Sequence, residues 1–510
     1  MANAVPRWAI AATVLLALAA CQTPPRTTEL KEIGAEPRYV WAGDDATSRS
    51  DTLFIVTASG GGTRAAALTL GTLRALDEVQ LSTGEHSLLG EVDIISSVSG
   101  GSVTAAHFAL KGAKGFDQLE RDFIRRDGIG QLILRAINPV TFAQLTTPSV
   151  SRLDVLIDYF EDSLFKDMIS GKDVTYEALI GRRPYLILNA ADMSGGAVFS
   201  FTQPTFDLIC ADLAKFKLAE AVAASAAFPV ALAPLAIKNH SPCEAQIAKS
   251  EEMTGSEGDS DRQPRWPPIW VQRAVGSDIE INPNRVRRGR LAQTYLNLDC
   301  GDAFDAHKCT PMAEGQGKQW VHLLDGGIAD NLGLNEPLRL ITTLDVSPRF
   351  LNRIFHGDVT NLVFVVVNAR SEADSDLDRS GSTPGALKML GATTGSAIDA
   401  ASFGMLDRLG FIVKELIALH ARGTALERIV REKLNVMAVL VDFDYIEDPN
   451  CRRYFKNIAT SWTLDREETD ALNDMAGALV RQSRDFQSLL TAYGASSPGG
   501  PDVARVCSAL

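Results

Sequence analysis

Short runs of apolar, β-branched residues alternate with stretches of helical spacing over most of this chain. Leu53-Phe54-Ile55-Val56 predicts a buried strand. From Arg64 to Val79, residues Ala67, Leu70, Leu73 and Leu76 recur at helical spacing, so Gly60-Gly61-Gly62 reads as a strand-to-helix turn. Val92 to Val98 predicts a second strand, and Gly101 to Leu110 begins a second helix. Tyr185-Leu186-Ile187-Leu188, Leu362 to Val367 and Val436 to Phe443 predict further strands. Leu218 to Ala227 is an alanine-rich helix stopped by Pro229. Helical spacing returns over 396–421, through Ile398, Phe403, Leu406, Leu409 and Ile412. It returns again over 466–490, behind a cap at Thr463 or Asp465. This alternation predicts an α/β fold: a mostly parallel sheet with helices on both faces.

The flanks differ from this middle. Trp8 to Ala20 is nearly all apolar behind Arg7, too short to span a bilayer as a helix, and ends in Leu18-Ala19-Ala20-Cys21. Small residues before a cysteine resemble the bacterial lipoprotein cleavage site. The resemblance implies a signal peptide over 1–20, acylation of Cys21 and a membrane anchor through it. Gln22 resembles the outer-membrane sorting choice, which implies a lipoprotein facing the periplasm or the cell surface. Residues 21–50, with Pro24 and Pro25, read as a tether. The expected plan is then a core over 51–345 with an insertion at 239–318, an α/β extension over 346–490 packed on the core, and a loose tail over 491–510. The insertion holds Arg285-Val286-Arg287-Arg288-Gly289-Arg290, either a solvated face or a contact for a headgroup or phosphate.

The formal net charge of −13 argues against nucleic acid and against bulk attraction to anionic lipid, so any membrane attachment must be local. Six cysteines remain besides Cys21, an even number that permits disulfides in an exported chain. Cys300 and Cys309 are close enough for a local bridge. Cys210 with Cys243, and Cys451 with Cys507, are the remaining combinations considered. No Cys-x-x-Cys pair or histidine cluster suggests zinc, and no motif calls for a metal or cofactor.

Three separated segments carry candidate chemistry. Gly60, Gly61 and Gly62 leave backbone N–H groups free to approach a developing oxyanion, with the following helix adding its positive end. A phosphate-binding loop would need Gly-Lys-Ser/Thr, which is missing. Ser99 stands between a strand and a helix, flanked by Gly100 and Gly101, where a sharp turn would expose its hydroxyl. Asp325 ends the run Trp320-Val321-His322-Leu323-Leu324 and precedes Gly326-Gly327. Burial would raise its basicity, making a Ser–Asp pair feasible. No histidine sits in a recognisable catalytic context. His107 lies about 12 Å along the helix from Ser99, and His86, His240, His307, His322, His356 and His420 have no flanking motif.

These motifs resemble a known family. Ser59-Gly60-Gly61-Gly62-Thr63-Arg64-Ala65, Ser97-Val98-Ser99-Gly100-Gly101 and Asp325-Gly326-Gly327-Ile328-Ala329-Asp330-Asn331 match, in order, the motifs of patatin-like phospholipases and of the related cytosolic phospholipase A2 catalytic domain. Ala224-Ser225-Ala226-Ala227-Phe228-Pro229 resembles the helix end that precedes the acid motif. The resemblance implies a three-layer α/β/α fold and a serine hydrolase of phospholipid or lysophospholipid acyl esters that uses no histidine. Carried over by position, Ser99 is the nucleophile and Asp325 the base. Gly60, Gly61 and Gly62 form the oxyanion loop, with Arg64 supporting that loop or meeting a phosphate. Ser97 departs from the Gly-x-Ser-x-Gly pattern, and is the only hint toward a non-catalytic lipoprotein that binds an acyl chain or a partner. A general esterase or acyltransferase is the other alternative. In this setting the helix over 396–421 either packs on the sheet or closes over an acyl pocket as a lid.

Overall fold

The computed structural model describes residues 26–33, 37–41, 51–81, 86–147, 150–166, 171–229, 231–246, 271, 283–299, 310–313, 315–342, 359–372, 381–382, 385–421 and 435–510. Among the described residues ten strands run in chain order: β1 (Thr52–Ala58), β2 (Ile94–Val98), β3 (Tyr185–Asp192), β4 (Ala197–Ser200), β5 (Leu235–Lys238), β6 (Leu298–Asp299), β7 (Thr310–Pro311), β8 (Trp320–Asp325), β9 (Asn361–Asn368) and β10 (Asn435–Asp442). The central sheet has the order β10-β9-β1-β2-β3-β8-β5, with β4 paired to β3 and with β6 and β7 forming a separate pair. Strands β10, β9, β1, β2 and β3 are mutually parallel, while β8 and β4 run antiparallel to β3. Every residue of β1 is buried, as expected of a central strand covered on both faces.

Connection handedness produces the layers. Helix α1 (Gly62–Asp77) leads from β1 to β2, and α2 (Ser99–Lys111) follows β2 toward β3. Strand order then reverses, because β9 and β10 lie on the other side of β1. Right-handed crossovers in opposite directions put helices on opposite faces, giving a three-layer α/β/α molecule. The direction of winding across the sheet switches between β1 and β9, and crevices at the carboxyl ends of such a switch are where open α/β sheets hold ligands. The glycine loop after β1 stands there. Its Ser59 N–H donates to Val367 O at 3.0 Å.

Five further helices shape the site's surroundings: α3 (Gly128–Ala136), α4 (Pro139–Leu145), α5 (Arg152–Phe160), α6 (Leu218–Ser225) and α7 (Gly327–Asp330). Three more come from the C-terminal part: α8 (Ala386–Ala421), α9 (Arg466–Gln482) and α10 (Arg484–Tyr493). Helix α9 lies along α1, and Gly71 permits the approach: a Cβ there would sit 2.8 Å from both the Ala476 side chain and the Asn473 backbone. Edge strand β10 is closed off by α10, whose Asp485 accepts the Ala438 N–H at 2.8 Å.

Several expectations are corrected. Helical spacing placed one helix over 466–490, but Ser483 is extended at ψ 129° and caps Phe486 N with its hydroxyl, so α9 and α10 are separate. The helix expected over 396–421 begins earlier, at Ala386. The tail expected to be loose forms a helix over Val503–Ser508 that a Cys451–Cys507 disulfide holds to Pro449–Asn457. The described part of the expected tether is packed on the core: Tyr39 is buried, donates to Leu186 O at 3.2 Å and accepts from Leu186 N at 2.7 Å. Arg26 pairs with Glu220 at 2.8 Å and also with Asp154, and Arg38 pairs with Asp207 at 2.5 Å. Cys210 and Cys243 are bonded, with Cα atoms 6.3 Å apart. The signal segment, Cys21, Cys300, Cys309 and much of the insertion lie outside the described residues.

Because α1 and α9 meet at Gly71 without room for a side chain, Gly71→Leu is expected to cost about 1–3 kcal/mol, the usual range for overpacking. Denaturant unfolding should show it as a lowered midpoint, and an unchanged midpoint would contradict the contact.

Candidate active site

Sheet register brings the candidate serine and acid together. Val98 pairs with Asn189 on one side of β3, and Asp325 pairs with Ala190 on the other. Ser99, next after Val98, therefore flanks β3 at the level of Asp325. Its Oγ donates to Asp325 Oδ2 at 2.7 Å. Asp325 arrives on a strand antiparallel to β3 in an otherwise mostly parallel sheet. An antiparallel strand still serves, because its carboxyl end stops opposite Ala190, two residues from the carboxyl end of β3, and does not reach the sheet's opposite rim.

Ser99 adopts φ 50°, a left-handed conformation that only a tightly held turn imposes on a serine. The turn is held by Ser225 at the end of α6. Its Oγ accepts the Ser99 N–H at 2.9 Å, donates to Asn189 O at 2.7 Å and lies 2.9 Å from Ser102 Oγ. The acid strand is tied to the same helix end: Gly326 N donates to Ser225 O at 3.1 Å and Asp325 N to Ala227 O at 2.9 Å. Ser97, the departure from the small-residue pattern, is buried, and its hydroxyl accepts from Ser102 at 3.2 Å. The extra hydroxyl has a partner, so the turn tolerates it.

Both members of the pair are almost fully buried, Ser99 at 6% and Asp325 at 5% exposure. Burial pushes the Asp325 carboxyl up to about 6 from the ordinary aspartate value. Hydrogen bonds from Ser99 and from Gly327 N, the latter at 2.8 Å, pull the other way without cancelling it. Asp330, in the same motif, is likewise pushed up to about 6 by burial. It is engaged by backbone N–H groups of the following turn, Asn335 N at 2.7 Å among them, and is a structural cap.

The glycine loop lies against the serine turn. A Cβ on Gly100 would fall 1.9 Å from Gly62 O, and one on Gly60 would fall 2.6 Å from Asn331 Oδ1. Gly61 and Gly62 have φ 138° and 62°, which only glycine adopts without strain. Gly60 N already donates to Asn331 O at 3.1 Å, so it is a strut of the loop and its N–H is not free for an oxyanion. The N–H groups of Gly61 and Gly62 have no acceptor among the described residues. Arg64 is 1% exposed and spends its guanidinium on Ala369 O at 2.9 Å, on Thr460 Oγ1 at 3.0 Å and on Ile458 O. It thus fastens the loop to the C-terminal part, and its donors point at protein, not at a phosphate. Burial lowers its pKa to about 10.

No described histidine meets the pair. His107 is buried on α2 and pushed down to about 4, by burial first and Lys111 second. His86 contacts Glu91 at 2.6 Å, His240 contacts Thr27 Oγ1 at 3.1 Å and His322 is exposed on β8. Residues the sequence reading missed are Ser225, Asn189, Ser102 and Asn331. Ser225 and Asn331 carried a signal, the one as the polar residue within an alanine-rich helix end and the other as the last residue of the acid motif. Glu29, Cys210 and Cys243 form a cluster of metal-type ligands among the described residues, but the two sulfurs are joined to each other.

Helix α8 lies beside this site: Ser402 Oγ accepts from Asn331 Nδ2 at 3.4 Å, and a Cβ on Gly327 would fall 3.6 Å from Ile398. A cavity of about 770 Å³ lies off the pair. It is walled by Trp41, Ile187, Val198 and Leu291 and rimmed by Arg287 and Arg408, and neither Ser99 nor Asp325 lines it.

Residues 56–245 match the family model of patatin-like phospholipases, and the chain carries a domain of that family over this span. The glycine loop and Ser99 fall within it, whereas Asp325 lies beyond it. Among solved structures, human GIVD cytosolic phospholipase A2 is similar, with a TM-score of 0.41 and 11% identity over 87% of this chain and 60% of that one. The chain therefore spans about three-fifths of that protein's structure. No curated protein matches the chain.

A methyl group at Gly100 would have to displace the carbonyl of Gly62. Gly100→Ala should therefore shift the glycine loop and slow ester turnover ~10²-fold or more, the scale of losing an oxyanion donor, while circular dichroism stays unchanged. Unaltered turnover would show that the loop does not take part.

Proposed function

We propose that this chain is a serine-dependent lipid acyl hydrolase that cleaves phospholipid or lysophospholipid esters with a Ser99–Asp325 dyad. The observation that carries the reading is the 2.7 Å hydrogen bond from Ser99 Oγ to a buried carboxylate, beside two N–H groups without acceptors. The patatin-like phospholipase domain supports lipid acyl esters as the substrate class.

In this reading Ser99 Oγ attacks the acyl carbonyl while Asp325 Oδ2 takes its proton. The carbonyl oxygen becomes an oxyanion held by the N–H groups of Gly61 and Gly62, aided by the positive end of α1. Collapse of this intermediate expels the lysolipid or glycerol oxygen, which takes the proton back from Asp325 and leaves an acyl-Ser99 ester. Water then attacks that ester, losing its proton to Asp325, and the fatty acid departs as Ser99 Oγ takes that proton from Asp325. Burial is what equips an aspartate for this work, since its raised proton affinity brings it nearer to that of a useful base. We further propose that Cys21 is acylated and anchors the chain to the bacterial outer membrane, on its periplasmic or outer side, with residues 51–345 as the catalytic core.

Ser99→Ala and Asp325→Asn should each reduce lysophospholipid hydrolysis by ~10²–10⁴-fold. For the native chain, kcat/KM should fall as pH drops through about 6, where Asp325 gains its proton. Stability runs the opposite way. A carboxyl that holds its proton more tightly folded than unfolded contributes stability below its unfolded pKa and loses it as pH rises through about 6. Asp325→Asn should therefore be inactive yet no less stable at neutral pH. Activity retained in that variant would defeat the proposal.

A further inference from the structure

Six large apolar side chains stand in solvent between positions 129 and 142: Ile129, Ile133, Leu134, Ile137, Val140 and Phe142. The last four are each 60–67% exposed. Ile129, Ile133, Leu134 and Ile137 share one face of α3, while Leu132 and Arg135 occupy the other. Leu132 packs against the core, and Arg135 is held by Asp162 at 2.9 Å. Helix α4 has no buried residue at all. Soluble monomers rarely leave so dense an apolar patch bare, and such patches mark interaction sites.

Charge points to the partner. No Asp or Glu occurs from Gly128 to Leu153, although the chain holds 63 in 510 residues. Arg126 precedes the stretch and Arg152 lies near its end, both exposed and neither in an ion pair among the described residues. Apolar faces whose nearest carboxylates, Asp127 and Asp154, sit only at the ends of the stretch fit an interface of acyl chains and anionic headgroups.

Position in the fold ties this patch to the glycine loop. Residues 461–463 lie between them: Ser461 O accepts Thr63 N at 2.8 Å, and a Cβ on Gly62 would fall 2.4 Å from that same oxygen. On the other side Trp462 O accepts Gly128 N at 3.0 Å, and Thr463 Oγ1 meets Ile129 N at 3.3 Å and Asp127 at 2.8 Å. Trp462 packs on Phe123 and Phe160 at about 6 Å, which stiffens the link.

We propose that α3 and α4 form a membrane-docking element that lies in the headgroup–acyl boundary of an anionic lipid surface and sets the glycine loop beside it. Binding stands on the exposed face and its charge alone; delivery of an ester to Ser99 rests on the catalytic reading above. The test is hydrogen–deuterium exchange on the full chain carrying Ser99→Ala, with and without phosphatidylcholine vesicles containing phosphatidylglycerol. With no turnover possible, the result is independent of the catalytic reading. Amides over 128–147 should exchange about tenfold more slowly with vesicles, since short exposed helices open readily until something covers them. The triple variant Leu134→Ser, Ile137→Ser, Phe142→Ser should lose that slowing, while amides of Val503–Ser508 stay unaffected in both. Three results would overturn the proposal: no slowing over 128–147, full slowing in the triple variant, or equal slowing produced without lipid by raising the protein concentration, which would assign the patch to a second copy of the chain.

Discussion

The site depends on keeping one carboxylate out of water while a hydroxyl remains in contact with it. Asp325 in solvent would be too weak a base to help a serine. Inside the protein it is desolvated, and its two oxygens are given different tasks. Gly327 N fixes Oδ1, which leaves Oδ2 facing Ser99. Ser225 makes the arrangement rigid, because its hydroxyl holds the serine turn and its carbonyl holds Gly326. Ser99 and Asp325, 226 positions apart, are thus registered on one helix end.

Sheet topology makes this contact possible. Parallel strands deliver the glycine loop and Ser99 to the same rim, and an antiparallel strand brings the acid back to meet them. Strand β8 pairs antiparallel with both of its neighbours, β3 and β5, an arrangement that needs no crossover. The C-terminal part then closes the arrangement from behind. Residues 458–463 receive Arg64 and Thr63 from the glycine loop, and α9 lies along α1.

Much of this was legible in the sequence where a segment is buried on both faces. Strands β1, β3 and β9 appear as apolar runs, and the three glycine- or serine-bearing motifs sit at strand ends because turns need those residues. The direction of β8 was not legible, since a short strand reads the same either way. Whether Arg64 supports the glycine loop or meets a phosphate was not legible, because it holds backbone carbonyls more than 300 positions away, which no local pattern encodes. Gly60 looked equivalent to its two neighbours until Asn331 O claimed its N–H. The polar stretch at 26–41 read as a tether because its anchors, Tyr39 and Arg26, are single residues whose burial depends on distant contacts. The break at Ser483 was hidden by continuous helical spacing on both sides of it.

The most direct test is to expose the native chain to a fluorophosphonate, which esterifies only an activated serine, and to locate the adduct by peptide mass spectrometry. The account predicts one adduct, on Ser99, formed in the native chain and absent from Asp325→Asn. An adduct on another serine, no adduct at all, or labelling of Ser99 at an undiminished rate in Asp325→Asn would contradict it.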